Sequence, residues 1–576
     1  MQTVIVRYEG SLKAQIEFQF PGAQVVELFN QYAIVTIADE DLEAFSALPE
    51  VEYIERPKRL FFDVEDGRRA SCITGVQGTV RESAGNVHGM SAGVLQSGGD
   101  GLTGRGVLVG IIDSGITYDH ADFIRDDGTS RIAFLWDQSA SGDSQMGRIP
   151  AGFSMGAEYT NEDLNEALAL PEPERSRLVP VTDRFQGHGT AVAGVAAGNG
   201  RGSVGNRNRG VAIDSDLVVV KLAQRDDGFP RTTEVMEGLD YVLRKAIELQ
   251  KPIAINLSFG NNYGPHDGQS LFENYITELN GVWKNMIVIA SGNEGDARHH
   301  TEVQLEQGEF SRSVNPERVE FAIGNLESAL TVQLWKSYVD RFQLEVQSPD
   351  GRRYRLPDEG EGQTYSLSTG SLRLYHGVPS PYTITQEIYM EWQRGSAGQV
   401  PTGVWSILIY PESIRYGKCN LWMSGAEVSG RQTGFLNPVT NTTLTIPATA
   451  ARTVSVGAYQ TSTDTIAAFS GRGFTADGRI APTIVAPGVD ILAPARGGGY
   501  TRHTGTSIAA PFVTGAAALL MEWGIVQGND TELYGEKGKA YLMRGARSLV
   551  GISRFPDTAA GWGALCLERS IGSNYP

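Results

Sequence analysis

The sequence predicts an α/β fold in which a parallel sheet with helices is preceded by a small α+β unit and interrupted by an inserted all-β domain. Three observations predict it. Short apolar runs alternate with helical stretches in two parts of the chain, many short alternating strands lie between those parts, and the first sixty or so residues mix strand and helix patterns. We expect four segments, at residues 1–80, 81–295, 296–445 and 446–576.

The first segment shows the pattern of a small α+β domain. Residues 4–8 and 34–37 are strand-like runs rich in β-branched side chains, and Leu42, Phe45 and Leu48 recur at helical spacing. Pro49 ends that helix. Residues 71–101 are then rich in Gly and Ser without a sustained period, which predicts a linker or an exposed, cleavable joint.

The α/β part begins near Gly106. Its apolar runs end in small or polar residues and are separated by helical stretches, as expected for buried parallel strands. After residue 445 the same pattern returns and leads into an Ala- and Leu-rich helix from Thr506 to about Trp523. Polar residues beyond the carboxyl ends of such strands are where open α/β sheets place their sites.

The segment between about residues 296 and 445 has a different pattern. Short alternating strands are separated there by Gly, Pro and Asp turns, which is typical of an all-β sandwich. Because the α/β pattern lies on both sides, we predict that this segment is an insertion. Rigid packing against the α/β domain is its expected role, and binding of a carbohydrate or a partner remains the alternative.

Charge and composition exclude some classes of function. The chain of 576 residues has 49 basic and 67 acidic side chains, so its formal net charge is 49 − 67 = −18. Nucleic acid is therefore not an expected partner. The N-terminus lacks a basic region followed by an apolar one, and no run of 18 apolar residues occurs, so neither a signal peptide nor a membrane span is expected.

The three cysteines, Cys72, Cys419 and Cys566, are widely separated. They are too few and too scattered for a disulfide framework or a four-cysteine zinc site. We expect packed or surface thiols and an intracellular, reducing location.

Three short segments carry a reactive side chain among small residues, which allows close approach of backbone and substrate. They are Ile111-Ile112-Asp113-Ser114-Gly115, Gly187-His188-Gly189-Thr190 and Gly505-Thr506-Ser507-Ile508-Ala509. Singly, Asp113 could be a strand-end cap and Ser507 a helix N-cap. Together they supply a hydroxyl nucleophile, a base and an orienting carboxylate.

The three segments resemble the Asp, His and Ser blocks of the subtilisin-like serine proteases, the subtilases, in the chain order that this family shows. The resemblance implies that Ser507 attacks a peptide carbonyl, His188 moves the proton and Asp113 orients His188. Ser507 would lie at the positive end of a helix dipole, with Pro511 in the first turn.

Two further blocks match the family. Ala290-Ser291-Gly292-Asn293 resembles the block that supplies the side-chain donor of the oxyanion hole, which places Asn293 in that role. Residues 255–260 resemble the strand that pairs with the substrate backbone. The resemblance thus implies these substrate-binding residues: Ser258, Phe259, Gly260, Ser291 and Gly292.

The architecture is also similar to a narrower group, the clostridial germination proteases of the Csp type, which carry a short prodomain and an inserted jelly roll. That resemblance implies residence in the spore and activation of a cortex-lytic zymogen. Residues 1–80 would be a prodomain whose tail occupies the active-site cleft, with self-cleavage between about Ser71 and Ser83. A permanent N-terminal domain that is never released remains the alternative.

No cofactor is expected, although Asp122 matches a carboxylate that binds calcium in many relatives. Its partner loop, residues 198–209, carries three arginines, whose charges disfavour a cation. His299 and His300 lack a spaced third ligand, so a solvated loop is expected there and not zinc.

The leading hypothesis is an active serine endopeptidase made as a self-processing zymogen, with a protein substrate. A pseudoprotease, in which the N-terminal domain keeps the cleft shut and the chain acts as a binding or signalling scaffold, is the alternative from another class.

Overall fold

A computed structural model of the chain describes residues 1–572 except 11, 14–15, 17–18, 58–60, 63–70, 74–75, 78–100, 141–146, 184–185, 225–228, 307, 310–314, 326, 396–397 and 426–427. It contains the three predicted parts: an N-terminal domain, an α/β domain formed from two stretches of chain, and an all-β insert between those stretches.

The N-terminal domain contains a four-stranded antiparallel sheet, in the order β2-β3-β1-β4, and a short helix between β3 and β4. Its elements are β1 (Gln2–Tyr8), β2 (Gln24–Glu27), β3 (Tyr32–Ile37), α1 (Leu42–Ser46) and β4 (Val51–Glu55).

Both faces of this sheet are apolar. In β3, Ala33, Val35 and Ile37 point into the domain's own core, whereas Tyr32 and Ile34 pack against the α/β domain. A strand that is buried on both sides does not alternate apolar and polar residues, which explains why β3 is almost entirely apolar. The N-terminal domain therefore needs the α/β domain to cover its second face.

The α/β domain contains a nine-stranded, mainly parallel sheet in the order β26-β25-β12-β10-β6-β9-β7-β8, with β27 beside β25. The strands are β6 (Leu108–Asp113), β7 (Ile132–Asp137), β8 (Ala157–Thr160), β9 (Asp216–Lys221), β10 (Ile253–Leu257), β12 (Asn285–Ala290), β25 (Val454–Gln460), β26 (Thr465–Ile466) and β27 (Ile484–Pro487). Two small pairs are β5 (Phe61–Phe62) with β11 (Phe259–Gly260), and β28 (Ile491–Pro494) with β29 (Tyr500–His503).

Helices cover both faces of this sheet. They are α2 (Asn161–Leu168), α3 (Glu174–Leu178), α4 (His188–Ala197), α5 (Thr232–Glu248), α6 (Leu271–Leu279), α7 (Thr506–Met521), α8 (Gly535–Gly545) and α9 (Leu567–Ile571). Every residue of α7 is buried. A π turn, Glu522–Val526, continues α7, and within the described chain the combined stretch Thr506–Val526 is the one helix long and apolar enough to cross a membrane. Because 89% of its most apolar window is buried inside the protein, it is accounted for as a core helix.

The insert consists of two six-stranded antiparallel sheets, in the orders β13-β23-β16-β21-β20-β19 and β18-β17-β22-β15-β24, with β14 beside β22. Its strands are β13 (His300–Gln304), β14 (Gly308–Glu309), β15 (Glu317–Ile323), β16 (Ala329–Ser337), β17 (Arg341–Gln347), β18 (Arg353–Arg355), β19 (Gly362–Ser366), β20 (Gly370–His376), β21 (Thr385–Arg394), β22 (Gly403–Ile414), β23 (Lys418–Met423) and β24 (Gly434–Phe435).

The inner faces of the two sheets share one core. Ile388, Met390 and Trp392 alternate along β21 and pack against side chains such as Phe321 and Trp405 from the opposite sheet. This period of two is the pattern from which the sequence predicted a sandwich.

The prediction for the cysteines is wrong for two of the three. Cys72 and Cys566 form a disulfide that joins residues 494 positions apart. Such a pairing cannot be deduced from spacing, because the fold alone brings the two positions together. Cys419 is a free, buried thiol, as expected, and burial raises its pKa to about 12.

Candidate active site

The site lies where three adjacent parallel strands, β12, β10 and β6, reach the same edge of the sheet. Asp113 ends β6, Ser258 follows β10 by one residue, and Asn293 follows β12 by three. Because neighbouring strands are about 4.8 Å apart, these side chains fall within a small region. The sequence indicated Asp113 through its motif, and Ser258 and Asn293 through the resemblance to the subtilases.

Asp113 and His188 are in direct contact. His188 Nδ1 lies 2.7 Å from Asp113 Oδ1, and both side chains are buried. Asp113 Oδ1 also accepts a hydrogen bond from the Ser114 backbone N–H at 2.7 Å. Because an ionised carboxylate only accepts, the proton of a neutral His188 lies on Nδ1, which leaves Nε2 as the basic ring atom.

Glycine permits this contact. His188 is the first residue of α4, and Gly187 before it has φ +90°, a left-handed conformation that favours glycine. A Cβ at Gly189 would lie 2.1 Å from the Gly115 carbonyl oxygen, so no larger residue fits there without a backbone shift. The Gly-His-Gly motif therefore has a steric reason.

Ser507 is the second residue of α7 and is buried. Its carbonyl oxygen accepts a 2.6 Å hydrogen bond from Ser258 Oγ. That carbonyl is available because Pro511, four residues on, has no N–H to donate to it. Pro511 is the sixth residue of α7. The sequence prediction that it lies in the first turn is therefore wrong.

The Ser507 hydroxyl has no hydrogen-bond partner among the described residues, and no hydrogen bond joins it to His188. Ser258 connects the Ser507 carbonyl to the end of β10, the strand next to β6. The helices that carry His188 and Ser507 also pack on each other, since a Cβ at Gly515 of α7 would lie 2.6 Å from the Ala196 carbonyl oxygen of α4. Catalytic hydrogen bonds often tighten only when substrate binds.

Asn293 is held against the start of α7. Its side-chain oxygen accepts hydrogen bonds from the Thr506 N–H at 3.1 Å and from the Thr506 hydroxyl at 3.2 Å. The Gly292 N–H donates in turn to Thr506 Oγ1 at 3.0 Å. These bonds fix the orientation of the Asn293 amide next to Ser507.

Three of the five predicted substrate-binding residues, Gly260, Ser291 and Gly292, lie against Thr445, which the sequence motifs did not reveal. A Cβ at Gly260 would lie 2.3 Å from Thr445 Oγ1, and a Cβ at Gly292 would lie 2.4 Å from the same side chain. Thr445 N–H donates to the Ser291 carbonyl oxygen at 3.0 Å. Thr445 has no motif of its own, so only the fold identifies it.

Phe259 and Gly260 form β11, which pairs antiparallel with Phe61 and Phe62 of the segment that follows the N-terminal domain. The predicted substrate strand is thus already paired with a stretch of the protein's own backbone. Ser258, just before this strand, donates a hydrogen bond from its hydroxyl to the Ser507 carbonyl oxygen.

Asp183 is a second carboxylate near the site. Its Oδ2 accepts hydrogen bonds from the Thr190 N–H and the Thr190 hydroxyl, each at 2.7 Å, and its Oδ1 accepts from the Ser114 hydroxyl at 2.7 Å. Burial raises the pKa of Asp183, and these hydrogen bonds oppose the rise. An acidic residue five positions before His188 is the only signal in the sequence.

The surroundings of Asp122 do not fit a calcium ion. One carboxylate oxygen accepts from the Gly202 N–H at 2.9 Å and the Tyr500 hydroxyl at 2.6 Å, and the other has no hydrogen-bond partner. The Asp122 carbonyl oxygen accepts from the buried Arg131 guanidinium, whose charge opposes a nearby cation. Across the described residues, no three His, Cys, Asp or Glu side chains form a metal-binding group.

The prediction of a solvated loop at His299 and His300 is wrong. Both side chains are buried, and His300 begins β13. His299 Nδ1 lies 2.6 Å from Glu294 Oε2, and the His300 ring stacks on Trp422 at 4.9 Å. Their partners come from the α/β domain and from another strand of the insert, so the local sequence could not indicate them.

Comparison with known proteins agrees with this geometry. The Subtilase family model matches residues 104–374 and 427–563, and the Csp protease B prodomain model matches residues 2–58. The structure of the Clostridium perfringens CspB protease is 31% identical and has a TM-score of 0.74, with 87% of this chain and 96% of that chain covered.

Two curated relatives match smaller shares of this chain. A C5a peptidase of Streptococcus pyogenes is 24% identical over 489 residues, which are 76% of this chain and 39% of that protein. The major intracellular serine protease of Bacillus subtilis is 32% identical over 120 residues, 20% of this chain and 33% of that protein. The chain thus spans less than half the length of these curated relatives. The family models and the CspB likeness together cover both parts of the α/β domain and the N-terminal domain, and the chain belongs to the subtilase family.

Proposed function

We propose that the protein is a serine endopeptidase in which Ser507 is the nucleophile, His188 the general base and Asp113 the carboxylate that orients it. The single observation that carries this proposal is the 2.7 Å contact between His188 Nδ1 and Asp113 Oδ1. It lies at the same edge of the sheet at which Ser258 binds the Ser507 carbonyl. With the Nδ1 proton held by Asp113, Nε2 carries the lone pair that takes the Ser507 proton.

The steps follow from these positions. Ser507 Oγ attacks the peptide carbonyl carbon, and its proton passes to His188 Nε2. The developing oxyanion is stabilised by the Asn293 amide, the Ser507 N–H and the positive end of α7. His188 then gives the proton to the leaving amine, and water repeats the sequence to release the acyl group.

We also propose that the protein is a zymogen and that its N-terminal domain inhibits it. The contacts between the domains support this. Glu55 Oε2 accepts from the Leu271 N–H at the start of α6, Arg7 pairs with Glu278 at 2.9 Å, and Phe29 N–H donates to Asp240 at 3.0 Å. The backbone of Phe61 and Phe62 occupies the strand position that a substrate would need.

The test is mass spectrometry of the purified wild type and of Ser507→Ala, with the exposed Ser548→Ala as a matched control. A new N-terminus in the wild type and the control, and not in Ser507→Ala, is expected. Cleavage by Ser507→Ala at the wild-type rate would overturn the assignment. A wild type that folds but neither cleaves nor reacts with a fluorophosphonate would instead favour the pseudoprotease scaffold.

The Csp-type prodomain and the likeness to the CspB protease support a narrower role. By this proposal the enzyme resides in the spore and activates a cortex-lytic zymogen during germination. Incubation of the processed protein with such a zymogen should shorten the zymogen by one cut, and Ser507→Ala should leave it intact. Absence of that cut with an enzyme that processes itself would refute this role alone.

A further inference from the structure

We propose that Glu294 is a positioning residue for Asn293, and that the inserted β domain holds Glu294 in place through His299. The inference rests on the proposed function, because it concerns how the oxyanion donor is oriented. Glu294 directly follows Asn293 in the chain and is 2% exposed. A buried carboxylate must be held by hydrogen-bond donors, so its partners determine where this segment lies.

Two donors from different directions meet on one oxygen of Glu294. His299 Nδ1 lies 2.6 Å from Glu294 Oε2, and Asn262 Nδ2 donates to the same oxygen at 3.2 Å. Both donors are buried. Hydrogen bonds to an ionised acceptor are shorter and stronger than neutral ones, so these two bonds attach the segment after Asn293 firmly.

The insert supplies the support behind both donors. The His299 carbonyl oxygen accepts from the Met423 N–H at 2.9 Å, and Asn262 Nδ2 also donates to the Met423 carbonyl oxygen at 3.1 Å. Met423 ends β23, the central partner of β13 and β16 in one sheet of the insert. The Glu294 carboxylate is therefore linked through His299 and Asn262 to the end of β23.

Asn293 is thus held from two sides. Its side-chain oxygen is held by Thr506 at the start of α7, and its backbone is held through the next residue by the insert. Asn262 lies two residues beyond Gly260, so the same cluster also supports the end of the predicted substrate strand. Loss of the Glu294 attachment would let the donor move relative to Ser507.

We expect Glu294→Ala to slow self-processing by roughly 10- to 100-fold, because a misplacement of about 1 Å in a catalytic group can cost 10²-fold. A double-mutant cycle separates this effect from general destabilisation. If Glu294 acts through Asn293, the same substitution in an Asn293→Ala background should change the rate by less than about 2-fold. A purely structural role would slow both backgrounds equally.

His299 provides the second variant. His299→Asn keeps an N–H donor near the position of Nδ1 and should retain most of the wild-type rate, whereas His299→Ala should reproduce the slow rate of Glu294→Ala. Tyr263→Phe is the matched control. It removes the 3.3 Å hydrogen bond to Ser424 Oγ across the same junction without touching Glu294, and it should process like the wild type.

The outcomes are distinguishable. A wild type that does not process itself refutes the proposed function. A wild type that does, with Glu294→Ala at the wild-type rate or with equal losses in both backgrounds, refutes only this inference. If Glu294→Ala does not fold, Glu294→Gln, which keeps the size and one acceptor oxygen, takes its place in the same cycle and is read by the same criterion.

Discussion

Asp183 determines how α4 begins, and α4 begins with His188. Its two carboxylate oxygens together accept hydrogen bonds from the Thr190 N–H, the Thr190 hydroxyl and the Ser114 hydroxyl. The Ser114 hydroxyl also lies 3.1 Å from Asp113 Oδ1 and accepts from the Gly189 N–H at 3.0 Å. Asp183 therefore fixes the turn on which the Asp113–His188 contact depends.

We predict that Asp183→Ala lowers the free energy of unfolding by about 1–3 kcal/mol, the usual cost of leaving buried donors without an acceptor. Asp183→Asn, which keeps an acceptor oxygen, should recover part of this loss. Urea denaturation in the Ser507→Ala background measures both variants without interference from self-cleavage. Equal stability of Asp183→Ala and its parent would show that water replaces the carboxylate.

At the scale of single elements, β13 begins with His300, whose ring belongs to a stack that reaches His266 of the α/β domain through Trp422. The His300 ring stacks on Trp422, whose other neighbour is His266 at 4.0 Å. Burial lowers the pKa of His300 from 6.5 to about 4, although a hydrogen bond to Asn420 opposes the shift. The folded protein thus binds this proton less readily than the unfolded chain does.

The sign of the pH dependence follows. The contribution of neutral His300 to stability is complete above pH 6.5 and is lost as the pH falls towards 4. We predict that His300→Gln removes up to about 3 kcal/mol of the acid-induced loss of stability over this range, since one pKa unit corresponds to about 1.4 kcal/mol. The measurement is urea denaturation of both proteins, in the Ser507→Ala background, at several pH values. Parallel pH profiles would mean that the pKa of His300 is the same in the folded and unfolded states.

Arg131 stabilises the loops around Asp122. Its guanidinium donates to the carbonyl oxygens of Asp122 and Ala212, each at 3.2 Å, and to those of Ala197 and Ser215 at 2.5 Å. Burial lowers its pKa to about 10, so it remains charged at neutral pH. A built-in cation thus lies beside Asp122, the residue for which the sequence raised a calcium site.

We predict that an excess of EDTA leaves the melting temperature of the protein unchanged. Arg131→Met should lower the free energy of unfolding by about 2–4 kcal/mol, because several buried carbonyl oxygens lose their donor. Asp122→Asn is the matched test of the carboxylate. A fall in melting temperature with EDTA in the wild type, restored by calcium and absent in Asp122→Asn, would show a calcium site instead.

At the scale of the whole molecule, local motifs predicted the three-part architecture and the site residues Asp113, His188 and Ser507, because small residues beside a reactive side chain leave a local signature. Features made by distant segments were not predictable. Thr445, at the end of the insert, lies against Gly260 and Gly292, which precede the insert. Glu294 meets His299 in a buried cluster, and a disulfide joins Cys72 to Cys566. These contacts depend on packing that periodicity and spacing do not encode.

The same long-range contacts bear on where the proposed self-cleavage would occur. Ser71 and Ile73 are fully buried, Ile73 lies in the main core of the α/β domain, and Cys72 is bonded to Cys566. Phe61 and Phe62, in contrast, pair with the predicted substrate strand. The described part of the predicted 71–83 window is therefore held in the core, and part of that window, residues 74–75 and 78–83, lies outside the described residues.

We predict that the cut follows Phe62 and precedes Ser71, so that Cys72 stays in the processed α/β domain and the disulfide secures its new N-terminus. N-terminal sequencing of the processed wild type should give a start within this interval, and gels with and without reductant should show the same release of the N-terminal domain. A start after Cys72, with the two parts separating only on reduction, would instead make the disulfide a covalent tether for the N-terminal domain. In either case Cys72→Ser should lower the stability of the unprocessed Ser507→Ala chain by about 2–5 kcal/mol, since the bond restricts the unfolded state.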